Sequence, residues 1–159
     1  VRTRLALAAA ALAAATPIAL AAPDALAAAA SPVEPGTYEI VNARGTCLRG
    51  EGNFNSKTVV GRCDTEWEVT PSDDGSGFTV KHATTDNCLT TALEPIYPPF
   101  AATLPCGTVH GASWNFADAD GGQVIIFREN SYLTDIGDNR PTVLLGPGNA
   151  GQKWILRRT

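Results

Sequence analysis

The chain has no methionine, no Cys-x-x-Cys pair, no run of lysine or arginine beyond its first residues, and almost no helical spacing of apolar residues outside its N-terminal leader. Each absence excludes a class of function. Without paired cysteines at ligand spacing, a structural zinc site is disfavoured. Without a basic patch in a chain of net charge -4, nucleic acid and anionic lipid surfaces are poor partners. No G-x-S-x-G elbow surrounds any serine. His110 and Ser113 in HGASW are therefore read as neighbours by chance, with no third group placed to make a nucleophile, and the expectation is a protein that is not an enzyme. The Asp135-Ile-Gly-Asp138-Asn139 stretch lacks the spacing and terminal glutamate of a calcium loop, and neither a metal nor a cofactor is expected.

The leader, VRTRLALAAAALAAATPIALAAPDALAAAASP, places Arg2 and Arg4 before an apolar Ala/Leu run and then small-residue triplets such as Ala25-Leu26-Ala27. That is the order of a secretory signal peptide. Pro17 and Pro23 interrupt the run, which disfavours a permanent membrane span. Residues 1–30 are assigned to this signal, with cleavage between Ala27 and Ser31 and export from a bacterial cell. Val1 reads as an alternative start codon translated literally, and the alanine-rich leader suggests a genome of high GC content. The remaining residues, 31–159, suffice for one domain with its own core, without a membrane anchor and expected to be a monomer. In an oxidising compartment its four cysteines are expected to form two disulfides.

Three segments of this domain answer one another. YEIVNARGTCLRG closes at TEWEV, FTVKHATTDNCLT closes at ASWNF, and VIIFRENSYLTD closes at QKWIL. Each begins with alternation, at Tyr38 and Ile40, Phe78 and Val80, and Val124 and Ile126, and continues through a polar turn to a Cys-Leu or Tyr-Leu strand and a tryptophan strand. The period is about forty residues. Repeats at about 36–75, 76–121 and 122–159 predict an all-β fold. Three such units are fewer than a propeller needs, so they are expected to close as a β-trefoil. The repeat pairs Cys47 with Cys63 and Cys88 with Cys106. In the third unit Tyr132 and about Leu145 take the equivalent places, with apolar packing for a bridge.

These features, with Gln152-Lys153-Trp154 at the end, resemble ricin-type β-trefoil lectin domains over about residues 36–159. The resemblance implies a carbohydrate-binding module whose working units carry an aspartate after Cys-Leu, an aromatic platform about two residues before the second cysteine, and an Asn-Gln pair before the tryptophan. Carboxylate and amide bond sugar hydroxyls, and the ring covers the apolar face of a pyranose. Here Arg49, Thr90 and Thr134 follow the pair, with Asp135 one place late; the platform positions hold Gly61, Leu104 and about Val143; of the amides only Gln152 remains. The lectin sites are thus degenerate. Thr90, Tyr97, Phe100, Asp135 and Gln152 are the candidate ligand residues, although Gln152 reads first as an amide satisfied inside the fold.

The second inter-cysteine segment, CLTTALEPIYPPFAATLPC, is the least ordinary. Its prolines stiffen an extended backbone that Cys88 and Cys106 would close at the base. Tyr97 and Phe100 are the only aromatics in any inter-cysteine loop apart from Phe54. A stiff loop suits a sugar platform. It also suits a serine-protease inhibitor acting through residues 94–105 with Phe100-Ala101 as the bait bond, because preorganisation lowers the entropy lost on binding. A plain surface connection is the third reading. The expected partner is a glycan or an extracellular protein, a protease among the possibilities.

Overall fold

A computed structural model describes residues 32–107 and 112–159. The signal-peptide assignment and His110 lie outside those residues. Alternating side chains, β-branched residues and frequent Gly, Asn and Asp turns make the described chain all-β. Its strands are β1 (Gly36–Asn42), β2 (Cys47–Arg49), β3 (Ser56–Lys57), β4 (Val59–Gly61), β5 (Trp67–Pro71), β6 (Phe78–His82), β7 (Asn87–Thr91), β8 (Ala101–Pro105), β9 (Ser113–Ala119), β10 (Gln123–Arg128), β11 (Ser131–Thr134), β12 (Val143–Leu145) and β13 (Lys153–Arg158).

Pairing is antiparallel throughout. β1 lies between β13 and β5, β6 between β5 and β9, and β10 between β9 and β13. The strand order therefore closes on itself as a barrel, which leaves these strands no free edge. Three hairpins, β2–β4, β7–β8 and β11–β12, project from it. Their backbones meet in a cycle: Thr58 N–H donates to Ala101 O (3.0 Å), Ala101 N–H to Thr142 O (2.9 Å) and Thr142 N–H to Thr58 O (2.8 Å). A buried contact of 2.6 Å between the Thr58 and Thr142 hydroxyls joins the same cluster.

The core follows from the predicted alternation. Ile40, Val80 and Ile126 of the barrel strands pack with Leu48, Leu89 and Leu133 of the hairpins in one apolar cluster. Trp67, Trp114 and Trp154 have no exposure, and each satisfies its indole N–H on a hairpin carbonyl: Leu48 O at 3.0 Å, Leu89 O at 2.8 Å and Leu133 O at 3.0 Å. A buried indole needs such an acceptor. The tryptophans thus tie hairpins to barrel and are core residues.

Both expected disulfides are present, Cys47–Cys63 and Cys88–Cys106. Where the third hairpin has no bridge, Tyr132 faces Leu145 across β11 and β12 and stacks on Phe127 at 5.2 Å. The register corrects two sequence alignments. Cys47 faces Gly61, Cys88 faces Leu104 and Tyr132 faces Leu145, so the platform-equivalent position of the third hairpin is Leu145 rather than Val143. The place of the second cysteine then falls two residues later, at Pro147.

Candidate functional site

Four of the five predicted ligand residues are internal or partly so. Thr90, in the middle of β7, is 1% exposed and its hydroxyl has no hydrogen-bond partner. A ligand cannot reach it. Asp135 is 6% exposed: Oδ2 accepts from Asn42 Nδ2 (2.8 Å) and Arg44 Nη2 (2.7 Å), and Oδ1 accepts from Gly137 N–H (2.8 Å). Arg44 also reaches Asp138 at 3.0 Å, and these two carboxylates, Asp138 first, raise the guanidinium's pKa further above its ordinary value. The segment considered for calcium therefore holds an arginine between its acids. Gln152 donates to Thr134 Oγ1 (3.1 Å) and Gly146 O (2.7 Å) and accepts from Asn149 N–H (3.1 Å). Its amide is satisfied inside the fold, as the structural reading of that residue requires.

Phe100 is half-buried and bridges Val143. Its carbonyl accepts from Ala92 N–H at 2.9 Å, and Ala101 is fully buried at the start of β8, with its N–H and carbonyl both committed to the hairpin cycle. A protease must pair with the backbone flanking the bond it attacks, and here that backbone is already paired. The Phe100-Ala101 bait bond is thereby corrected: it lies in the sheet, not on an outward arch. What projects is the preceding tip, where Leu93, Ile96 and Tyr97 are 57%, 44% and 90% exposed. Tyr97 alone of the predicted ligand residues stands free at the surface.

That tip is fastened to the first inter-cysteine loop. The turn from Asn53 to Ser56, closed by Ser56 N–H on Asn53 O (3.2 Å), puts Asn55 in the left-handed region at φ 52° and lifts Phe54 to its apex, 68% exposed. Asn55 Oδ1 accepts from Leu93 N–H (3.0 Å) and its Nδ2 donates to Glu94 Oε2 (3.2 Å), while Lys57 Nζ donates to Glu94 Oε1. The Lys57 ammonium is the main reason the Glu94 carboxyl sits below its ordinary pKa. Asn87 Nδ2 donates to Gly52 O, and the Thr103 hydroxyl to Asn53 O (2.8 Å), which completes the seam between the two loops.

Beside this seam runs a groove of about 260 Å³ lined by Arg49, Gly50, Glu51, Ser56, Lys57 and Val59. A Cβ on Gly61 would lie 3.1 Å from Arg49 Cδ, so the stem of Arg49 crosses the space that a platform side chain would fill. Arg49 Nη2 then pairs with Asp64 at 3.2 Å. The groove is therefore lined by two cationic residues, one carboxylate and a hydroxyl, with Phe54 on the loop between its walls. Sequence reasoning noticed Arg49 and Phe54 but did not unite them with Lys57. The available signal was the charge reversal immediately after Cys-Leu.

No family model and no curated protein matches the chain. Solved structures do. A ricin B-like lectin from Macrolepiota procera, solved in complex with lactose, superposes with a TM-score of 0.65 at 19% identity, covering 80% of this chain and 99% of that one. ThreeFoil, a designed 3-fold symmetric protein, gives 0.67 at 14% identity over 78% and 99% of the two chains. SeviL, solved bound to asialo-GM1 saccharide, gives 0.60 at 17% identity over 79% and 99%. With the closed barrel, the three hairpins and the three bonded tryptophans, these likenesses establish a β-trefoil fold similar to that of ricin B-like lectins.

Proposed function

We propose that the protein is an exported carbohydrate-binding module, built from three repeats of about forty residues and not an enzyme, whose ricin-type sugar sites have been replaced by one surface spanning the first two repeats. The structural neighbours support the ligand class, since one, a lectin, was solved with lactose and another bound to asialo-GM1 saccharide. One observation carries the location. The exposed rings of Phe54 and Tyr97 stand on loops locked together through Asn55 and Glu94 beside a shallow polar groove, while Thr90, Asp135 and Gln152 are spent inside the fold. Exposed rings beside hydroxyl and charged groups are the chemistry that holds a pyranose, with C–H groups on the π face and hydroxyls on the polar atoms.

A glycan array with the mature protein, followed by titration of the best ligands, tests this. Replacing Phe54 or Tyr97 by Ala is expected to weaken binding by about 1 kcal/mol or more, with the fold unchanged because both rings are exposed. Binding that survives both substitutions would place the site elsewhere. Binding of no glycan at all would end the reading.

A further inference from the structure

Resting on that reading, we propose that the groove between β2 and the Ser56–Val59 segment recognises a sugar carboxylate, so that the ligand is a hexuronate-containing glycan. Arg49 and Lys57 furnish two of its lining residues, and Glu51 is the single acid among them. That balance is unusual for this molecule, whose net charge is -4. A second groove, near the Cys47–Cys63 bridge, is lined by Glu39, Asp64 and Glu66 without a lysine or arginine. Another is lined by Asp73 and Asp74 against Lys81 alone.

The placement of the cations matters more than their number. Gly61 leaves room for the stem of Arg49 to lie across the hairpin, and Arg49 and Lys57 are both among the residues that line the groove. Its ion pair with Asp64 leaves the two side chains 40% and 39% exposed, and that of Lys57 with Glu94 leaves them 34% and 35% exposed. Neither Asp64 nor Glu94 lines the groove. Such water-accessible pairs are weak and exchange readily. They hold the cations in position while an incoming carboxylate gains charge-assisted bonds, including the two-pronged contact a guanidinium makes. Glu51, which accepts a long 3.4 Å hydrogen bond from Asn53 Nδ2, repels a carboxylate and accepts from hydroxyls. It therefore orients the ring, with hydroxyls toward Glu51 and Ser56 and the acid toward Arg49 and Lys57. A neutral sugar would leave both cations without a ligand contact.

The test uses trigalacturonate, triglucuronate and trimannuronate, each titrated beside its methyl ester, which keeps the skeleton and removes the charge. At least one acid is expected to bind about tenfold tighter than its ester, with the preference shrinking as ionic strength rises. Arg49→Gln, which keeps a stem over Gly61, should erase the preference for acid over ester. Lys57→Gln should reduce it, and serves as the second arm should the first variant fail to fold by near-ultraviolet circular dichroism. Equal binding of acid and ester, or an undiminished preference in both variants, overturns the proposal. Neutral glycans bound on the array with no uronate bound overturns it while leaving the module reading intact. Failure of every glycan overturns both.

Discussion

A buried hydroxyl with no partner is a cost that substitution can remove, and Thr90 is such a residue. Its side chain is sealed in β7 with Oγ1 unpaired. Thr90→Val keeps the shape and replaces the hydroxyl with a methyl group. The expected result is a gain of about 1 kcal/mol in urea unfolding, with glycan affinity unchanged. A loss of affinity would restore Thr90 to the site from which its burial removes it. Asp135 is the opposite case, because its oxygens hold Asn42, Arg44 and the Gly137 amide together. Gly151 stands against it: a Cβ there would collide with the Asp135 carbonyl, and its φ of 82° already favours glycine.

At the scale of elements, one carboxylate braces the β5–β6 turn that Ser72 also closes through its bonds with Gly75 and Gly77. Asp74 Oδ1 accepts from the Ser76 hydroxyl (2.7 Å) and the Ser76 N–H (3.0 Å), and these bonds, the hydroxyl's first, lower its pKa from 3.8 to about 2. A depressed folded pKa means a contribution present above the unfolded value and lost as the pH falls through the folded one. The turn should therefore hold above about pH 4 and loosen progressively toward pH 2. Carboxyl titration of Asp74 by NMR, with amide exchange at Ser76, should show both changes together. If Asp74 titrates at its ordinary value, the turn bonds are not held in solution.

The hairpins depend on their bridges in a different way. Cys88 and Cys106 close a separation of 18 residues and Cys47 and Cys63 one of 16. Replacing either pair by Ala should cost about 3 kcal/mol in unfolding free energy through the loop-closure entropy of the denatured chain. The tip carrying Tyr97 is expected to remain ordered even without Cys88–Cys106, because Ala92 N–H to Phe100 O and the contacts of Asn55 with Leu93 and Glu94 fasten it independently. Crystal or NMR structures of the double variant would check the second expectation and chemical denaturation the first.

For the whole molecule, the proposal of export makes a chemical prediction: protein recovered from the culture medium should begin between Ala28 and Ser31. N-terminal sequencing decides it, and an intact leader on medium protein would contradict it. The proposed monomer has a readout in light scattering. Glycan binding through the two ring-bearing loops then needs no second copy, since both belong to one chain joined by hydrogen bonds from Asn55 and Asn87.

Much of the architecture was legible in the amino-acid order because its signals are local and recur. Alternation marked β1, β6 and β10, the repeat paired the cysteines, and a tryptophan strand closed each segment, where all three tryptophans are fully buried. The site was less legible. Whether Asp135 or Gln152 faces a ligand depends on groups far off in sequence or on local bonds a residue count does not reveal: Asn42 reaches Asp135 across 93 residues, and Gln152 is closed by Thr134 and Gly146. The groove likewise needs Arg49 laid over Gly61 by cross-strand register and Lys57 drawn to Glu94 by the fold. Strand identity follows from short-range sterics and apolar period, which the chain carries in its own order. Polar side chains take their roles from burial and from their partners, and only the closed barrel with its three hairpins decides which are spent within and which are left to water.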